Sequence, residues 1–426
     1  MGLPSVLIAS AHEIVVTVRN TTVFVLPSSA SSTPKRMLQF VVLQSADGAE
    51  EASAVAHKDD ADDEVEKSQP LDPKLKRRVT AVEVFRPFNS DLFALLLLVD
   101  ERRLMHYELD LSHETLVLKT SRLVPRNATC MTVSHLKLEN QQMKYAVILG
   151  QKTGEAVAVP FPDVDRDLRM LLGHTTSMIT HVAVNHDSSL LLTADRDEKL
   201  RVSRFPNAAI IESYCLGHKA SLTKVACSAV TPDLVVSTSM DNTIKLWNMG
   251  IGKLLASETL LPGLEVSVKP LDKVADEDDD GHKAATSLLN VSLAICPKTN
   301  VVAVLVNFRH VRFFGIVAHA LEEVTVPDED LQGLRIHEPC DLLFTDNGML
   351  VVSYKKDPFL QLFSMSNDKR LILAEFAPDV FKDFRTTAAA IVLRDNEGNS
   401  LDVLDNGMIK KKARTSEWNK TASGQK

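Results

Sequence analysis

The sequence lacks any close pair of cysteines. Its five, Cys130, Cys215, Cys227, Cys296 and Cys340, are odd in number, scattered and never in a C-x-x-C arrangement. That spacing argues against a disulfide framework and against a cysteine zinc site, and a reducing compartment is the expectation. Long apolar runs are missing too, with none reaching the roughly 18 residues that a membrane-spanning helix needs. The opening "MGLPSVLIAS" has no basic n-region, and Val6 stands where a myristoylation signal needs Ser or Thr. Sequons at Asn127 and Asn290 therefore read as chance. A formal net charge of −8 argues against a chain that coats nucleic acid by bulk charge, though not against a local basic patch.

Catalytic motifs are equally scarce. "GIGK" from Gly250 lacks the third glycine of a dinucleotide loop and reads as a hairpin turn, and "GQKTG" from Gly150 lacks the spacing of a phosphate loop. No G-x-S-x-G, H-E-x-x-H or paired-cysteine motif occurs. The expectation is a chain with no catalytic residues, no metal set and no cofactor loop of its own.

What is present is a repeat. "LGHTTSMITHVAVNHDSSLLLTADRDEKLRVSRF" from Leu172 aligns with "LGHKASLTKVACSAVTPDLVVSTSMDNTIKLWN" from Leu216. His174 and His218, Thr193 and Ser237, Asp197 and Asp241, and Ser203 and Trp247 all fall in one phase, 44 residues apart. Short Val, Ile and Leu runs between turn residues are strands, and a period of this length signals a propeller. The second copy resembles the WD repeat, in which His, Ser/Thr, Asp and Trp form a hydrogen-bonded chain inside a four-stranded blade. His218, Ser237, Asp241 and Trp247 would fill those places, with His174, Thr193 and Asp197 in the copy before. A buried turn carboxylate needs donors, and this set supplies them, so a structural role outweighs a catalytic His–Asp pair.

Fainter copies surround Asn20, Asp100, Lys152, Asn307 and the trio Ser353, Asp357 and Phe363. The reading is an all-β, seven-bladed WD-repeat β-propeller over residues 1–375, with blades beginning near residues 5, 79, 128, 174, 218, 288 and 337. Six or eight blades stay open, because five blades have lost most of the signature. Residues 45–78 carry many carboxylates and few large apolar side chains, and with the acidic loop 268–286 they are expected to be disordered inserts. "KLKRR" at Lys74–Arg78 reads either as a nuclear import signal or as the counterweight of the acidic run. Residues 376–426 form a C-terminal extension whose basic tail, Lys410, Lys411, Lys412 and Arg414, is either a phosphate contact or a solvated end.

The turn "ADRDEK" is more charged than its counterpart "SMDNT". With Asp197 assigned to the buried place, Asp195, Arg196, Glu198 and Lys199 are surplus and face solvent or a partner. Arg201 shares a strand face with Ser203, whose small side chain leaves room for a guanidinium reaching a carboxylate. The segment "LLTADRDEKLRVSRFPNAAIIESYCLGHK", within Leu171–Asn248, resembles the WD-repeat, non-catalytic subunit family of the eukaryotic tRNA guanine-N7 methyltransferase. Members of that family also carry Ser in place of the Trp.

The resemblance implies a separate catalytic partner that binds S-adenosylmethionine and forms N7-methylguanosine in the tRNA variable loop. It also implies a heterodimer acting on tRNA, a nuclear location with the cytoplasm open as well, and a docking patch of Asp195, Arg196, Glu198, Arg201 and Lys219. Two other classes compete. One is a substrate receptor of a cullin ubiquitin ligase, against which "LWNMG" has Gly250 where such receptors often carry Arg; the other is a propeller hydrolase or lyase.

Overall fold

The chain alternates short apolar runs with polar turns, and among the described residues these runs fold into twenty-eight strands in seven four-stranded antiparallel sheets. The computed structural model describes residues 6–373 apart from 13, 20–21, 29–36, 43–77, 138–142, 176, 264–289, 336–337, 358 and 367–369. Both expected inserts, except Arg78, and the whole C-terminal extension lie outside the described residues, as does Asn20.

Each blade is one continuous stretch of chain: Val6–Val41, Val79–Leu123, Ala128–Gly173, Ile179–Leu216, Leu222–Thr259, Val291–Glu323 and Pro339–Leu373. The seven-bladed ring expected from the repeat is the fold, and its blades begin within a few residues of the places the sequence indicates. Neighbouring strands within a blade pair in sequence order. The first strand of each blade lies innermost, touching the first strands of the blades on either side, and that of blade one meets that of blade seven. A single helix among the described residues, Asp328–Arg335, links blades six and seven, with acidic residues in its first turn where the helix dipole favours them.

Side chains alternate between the two faces of a strand, so every sheet buries apolar residues against both neighbours. Leu192, Ala194, Leu200 and Val202 of blade four pack with Val225, Val235 and Trp247 of blade five. Leu191 and Phe205, on the opposite face, pack with Ile148 and Ala158 of blade three.

Several inner strands share a bulge. Thr80, Thr129, Thr180 and Thr223 are the unpaired residues of blades two to five, and Cys340 is that of blade seven. A bulge leaves backbone groups without ladder partners, and a threonine hydroxyl satisfies one locally. Thr80 Oγ1 donates to Leu98 O at 3.1 Å and Thr180 Oγ1 to Ala194 O at 3.2 Å. Thr129 Oγ1 reaches Ile179 O in the next blade at 2.6 Å.

No strand is shared across the joint between blades seven and one among the described residues. Arg19, 1% exposed, crosses it and donates to Tyr354 O and Lys355 O, both at 2.9 Å, with its guanidinium 4.6 Å from the Phe359 ring centroid. Burial draws its pKa down to about 10. His12 N adds a bond to Asp346 Oδ2 at 3.0 Å.

Candidate partner-docking site

Blade five assembles its four polar residues as one chain. His218 Nδ1 lies 3.0 Å from Asp241 Oδ2 and Nε2 lies 2.8 Å from Ser237 Oγ, which accepts the Trp247 Nε1 proton at 2.8 Å. Thr243 Oγ1 donates to Asp241 Oδ1 at 2.6 Å, and the Lys219 amide donates to Oδ2 at 2.8 Å. Burial works to raise the Asp241 pKa, but His218, Thr243 and the Lys219 amide outweigh it and hold the carboxyl down at about 2. Gly217, at φ +144, lets the chain pass the indole where an added Cβ would sit 3.4 Å from its ring. Ser237, His218 and Asp241 have the order of a hydrolase triad, yet Ser237 and Trp247 are fully buried, so no substrate reaches the hydroxyl.

Blade four is wired differently. His174 Nε2 lies 2.7 Å from Thr193 Oγ1, as the repeat implies, but His174 Nδ1 lies 2.8 Å from Asp195 Oδ2. The expectation that Asp197 holds the buried place is corrected: Asp195 holds it, and Asp197 is half-buried in the turn. Blade five has Thr243 to brace its aspartate, whereas blade four has Lys199 at that phase, without a hydroxyl. Asp195, at the end of its own strand, supplies the carboxylate instead and accepts the Lys199 amide at 2.9 Å. The same correction removes Asp195 from the docking patch, because it is 1% exposed with both oxygens engaged.

Arg201 is 8% exposed. Its Nε donates to Ser203 Oγ at 2.9 Å, one terminal nitrogen to Ala208 O at 2.9 Å, and the other to Gly173 O at 3.3 Å. The guanidinium does occupy the room beside Ser203, but it reaches two carbonyls rather than a carboxylate. Arg201 thus ties blade four to the end of blade three.

Arg196, Glu198 and Lys199 remain exposed in the turn, with Glu198 at φ 73, and Lys219 is exposed beyond the next "GH". These cations and the carboxylate stand at one end of blade four. Beside them runs a surface the sequence does not reveal. The outermost strand of blade four exposes Ile211 (43%), Tyr214 (39%) and Leu216 (59%), and the outermost strand of blade three exposes Met170 (61%). Tyr214 lies opposite Arg201 and Leu216 opposite Lys199 in the register. Arg204 and Glu212 form an exposed ion pair at 2.6 Å on the same edge. Apolar anchors bordered by charges are the composition of a protein-binding surface. The tail residues Lys410, Lys411, Lys412 and Arg414 lie outside the described residues.

Comparison with known proteins places this blade in context. The family model described as the tRNA methyltransferase TRM82 WD40 domain matches residues 90–333, more than half of the chain. The chain belongs to that family. Among curated TRM82-like relatives, a "tRNA (guanine-N(7)-)-methyltransferase non-catalytic subunit wuho" of Drosophila pseudoobscura pseudoobscura is 32% identical over 154 residues, covering 35% of this chain and 38% of the relative. The Mus musculus "tRNA (guanine-N(7)-)-methyltransferase non-catalytic subunit WDR4" is 35% identical over 134 residues, covering 32% of this chain and 30% of the relative. The aligned stretch thus spans well under half the length of these relatives. Among solved structures, a chain of the "Crystal Structure of Mitotic Checkpoint Complex" superposes with a TM-score of 0.52 at 12% identity, covering 88% of this chain and 93% of that one. That likeness concerns the fold alone.

Proposed function

We propose that this TRM82-family propeller is a non-catalytic subunit that docks and supports a separate S-adenosylmethionine-dependent enzyme forming N7-methylguanosine in the variable loop of tRNA. The observation that carries the reading is the rim of blades three and four. Its charged turn keeps Arg196, Glu198 and Lys199 outward although Asp195 alone serves the blade, and four large apolar side chains stand exposed next to it. Such a rim fits the apolar core and polar border of a subunit interface. The family and the names of its relatives supply the identity of the partner. The cofactor and the methyl transfer belong to that partner, and the propeller contributes a rigid frame that holds it in a tRNA-binding shape.

The test is co-purification of the tagged chain from its own cells followed by a methylation assay on tRNA. A methyltransferase subunit in the eluate, active with the propeller and weak without it, is the expected result. Recovery of a ubiquitin-ligase adaptor instead, or activity that the propeller leaves unchanged, would overturn the reading.

A further inference from the structure

The turn that leads into the outermost strand of blade five, Lys253–Thr259, carries Ile251 at 71% exposure, and no large apolar side chain among the described residues is more exposed. The turn is braced. Asn248 Oδ1 accepts the Ile251 amide at 3.3 Å, and Ser213 Oγ, on the outermost strand of blade four, donates to Met249 O at 2.5 Å. Gly252, at φ +67, passes so close to that strand that an added Cβ would lie 2.2 Å from Tyr214 O. Ile251 is therefore held in the open beside the strand that presents Tyr214 and Leu216 to the docking rim. Leu254, 40% exposed, lies opposite Trp247 on the face that blade five turns toward blade four.

Lys245 shares the face of Trp247. It stands one repeat after Arg201, whose guanidinium is closed off by two carbonyls and a hydroxyl. Lys245 is just as covered, at 8% exposure, but its Nζ donates only to Ser257 Oγ, at 2.7 Å, and it has no ion pair among the described residues. An ammonium carries three donors, and one so nearly covered is best satisfied by a carboxylate.

A stable interface takes about 20–30 residues from each partner, and the rim of blades three and four supplies well under that. Toward blade two the surface turns charged, because the stretch 162–168 carries the exposed pair of Arg166 and Asp163 at 2.9 Å. Interface cores are poor in charge. Toward blade five the apolar side chains continue, across strands that touch.

We propose that the catalytic partner grips blade four from both flanks: an apolar segment of that protein lies over Ile251 and Leu254, and one of its carboxylates enters the joint between blades four and five to pair with Lys245. The proposal rests on the docking function argued above and adds a contact on another blade. A protein segment fits the site better than RNA, since a phosphate backbone has nothing to cover Ile251 and Leu254.

Titration of the full chain with the methyltransferase subunit that co-purifies with it, alongside melting of the chain alone, tests the grip. Ile251→Asp changes an exposed side chain and should weaken binding roughly tenfold or more with Tm near wild type. Lys245→Met should weaken it as well, and Lys245→Arg should restore most of the loss. Undiminished affinity in Ile251→Asp, while Leu216→Asp still weakens binding, means that the partner stops at blade four and overturns the grip alone. Undiminished affinity in both, or no methyltransferase recovered with wild type, overturns the docking function with it. A Lys245→Met loss seen only when tRNA is present assigns Lys245 to RNA and overturns the carboxylate pairing. If Lys245→Met does not fold, hydrogen exchange of wild type decides, and amides 249–257 that exchange equally fast with and without the partner overturn the grip.

Discussion

Arg201 donates to Ser203 at 2.9 Å in blade four, at the register position where blade five buries Trp247 against Ser237. The two blades thus brace the same joint of the repeat in different ways, one with a guanidinium and two carbonyls, the other with an indole. The difference sets the first expectation. Ser203→Ala removes one acceptor from a nearly buried guanidinium and should cost about 1.5–3 kcal/mol in urea unfolding. Trp247→Ala removes a hydrogen bond and opens a cavity, and should cost about 3–5 kcal/mol. Equal losses would mean that the two blades are braced alike.

At the proposed docking rim, binding should separate from folding. Glu198→Lys changes an exposed residue and should leave Tm near wild type while weakening partner binding by roughly five- to 150-fold, on the order of 1–3 kcal/mol. Leu216→Asp should do the same through the apolar side. Arg201→Met should lower both Tm and affinity, because its bonds hold Gly173, Ser203 and Ala208 in place. Isothermal titration against the proposed catalytic partner, with melting of the isolated chain, reads both quantities. Undiminished affinity in Glu198→Lys and Leu216→Asp would remove the rim from the interface.

Asp241 gives an acid-side dependence. Its folded-state pKa of about 2 lies below the ordinary 3.8, so the stability it contributes is present above the unfolded value and is lost as pH falls toward about 2. Asp241→Asn should therefore cost about 2 kcal/mol at neutral pH and progressively less in acid. Urea unfolding of both proteins at neutral and acid pH measures the convergence.

His106 gives a second. It is 3% exposed, its ring centroid is 4.8 Å from that of Phe161, and neither ring nitrogen has a hydrogen-bond partner among the described residues. Burial lowers its pKa, with Glu108 opposing and Lys119 adding to the shift, so the imidazole stays neutral in the fold. The unfolded chain takes up the proton first, and stability falls as pH drops below about 6.5. His106→Leu should raise Tm, by a margin that widens as the solution is acidified. A margin independent of pH would show that the histidine is not held neutral.

The repeat phase made the ring, its blade starts and the blade-five chain legible, because turn residues and strand runs recur at a fixed period. It misplaced the blade-four carboxylate for a local reason. Asp195 and Asp197 are two residues apart, and phase alone does not register that Lys199 lacks the hydroxyl that braces Asp241 in blade five. Arg201 was legible as the side chain beside Ser203 but not in its acceptors, since Gly173 O and Ala208 O are backbone atoms that no residue type announces. Met170, Tyr214 and Leu216 escaped notice because a strand pattern does not say which strand lies at an open edge. The bulge threonines did carry a signal, one Thr near the start of each of four inner strands, but only the register gives it meaning.

The joint between blades one and seven differs from its six siblings in what would resist a mechanical load. The polypeptide itself crosses each of the others, so pulling them apart stretches a covalent tether. At the remaining joint, among the described residues, the resistance comes from packing, from the Arg19 bonds to Tyr354 O and Lys355 O, and from His12 on Asp346. A ring built this way has a built-in parting line, with Arg19 as the charged strut that spans it.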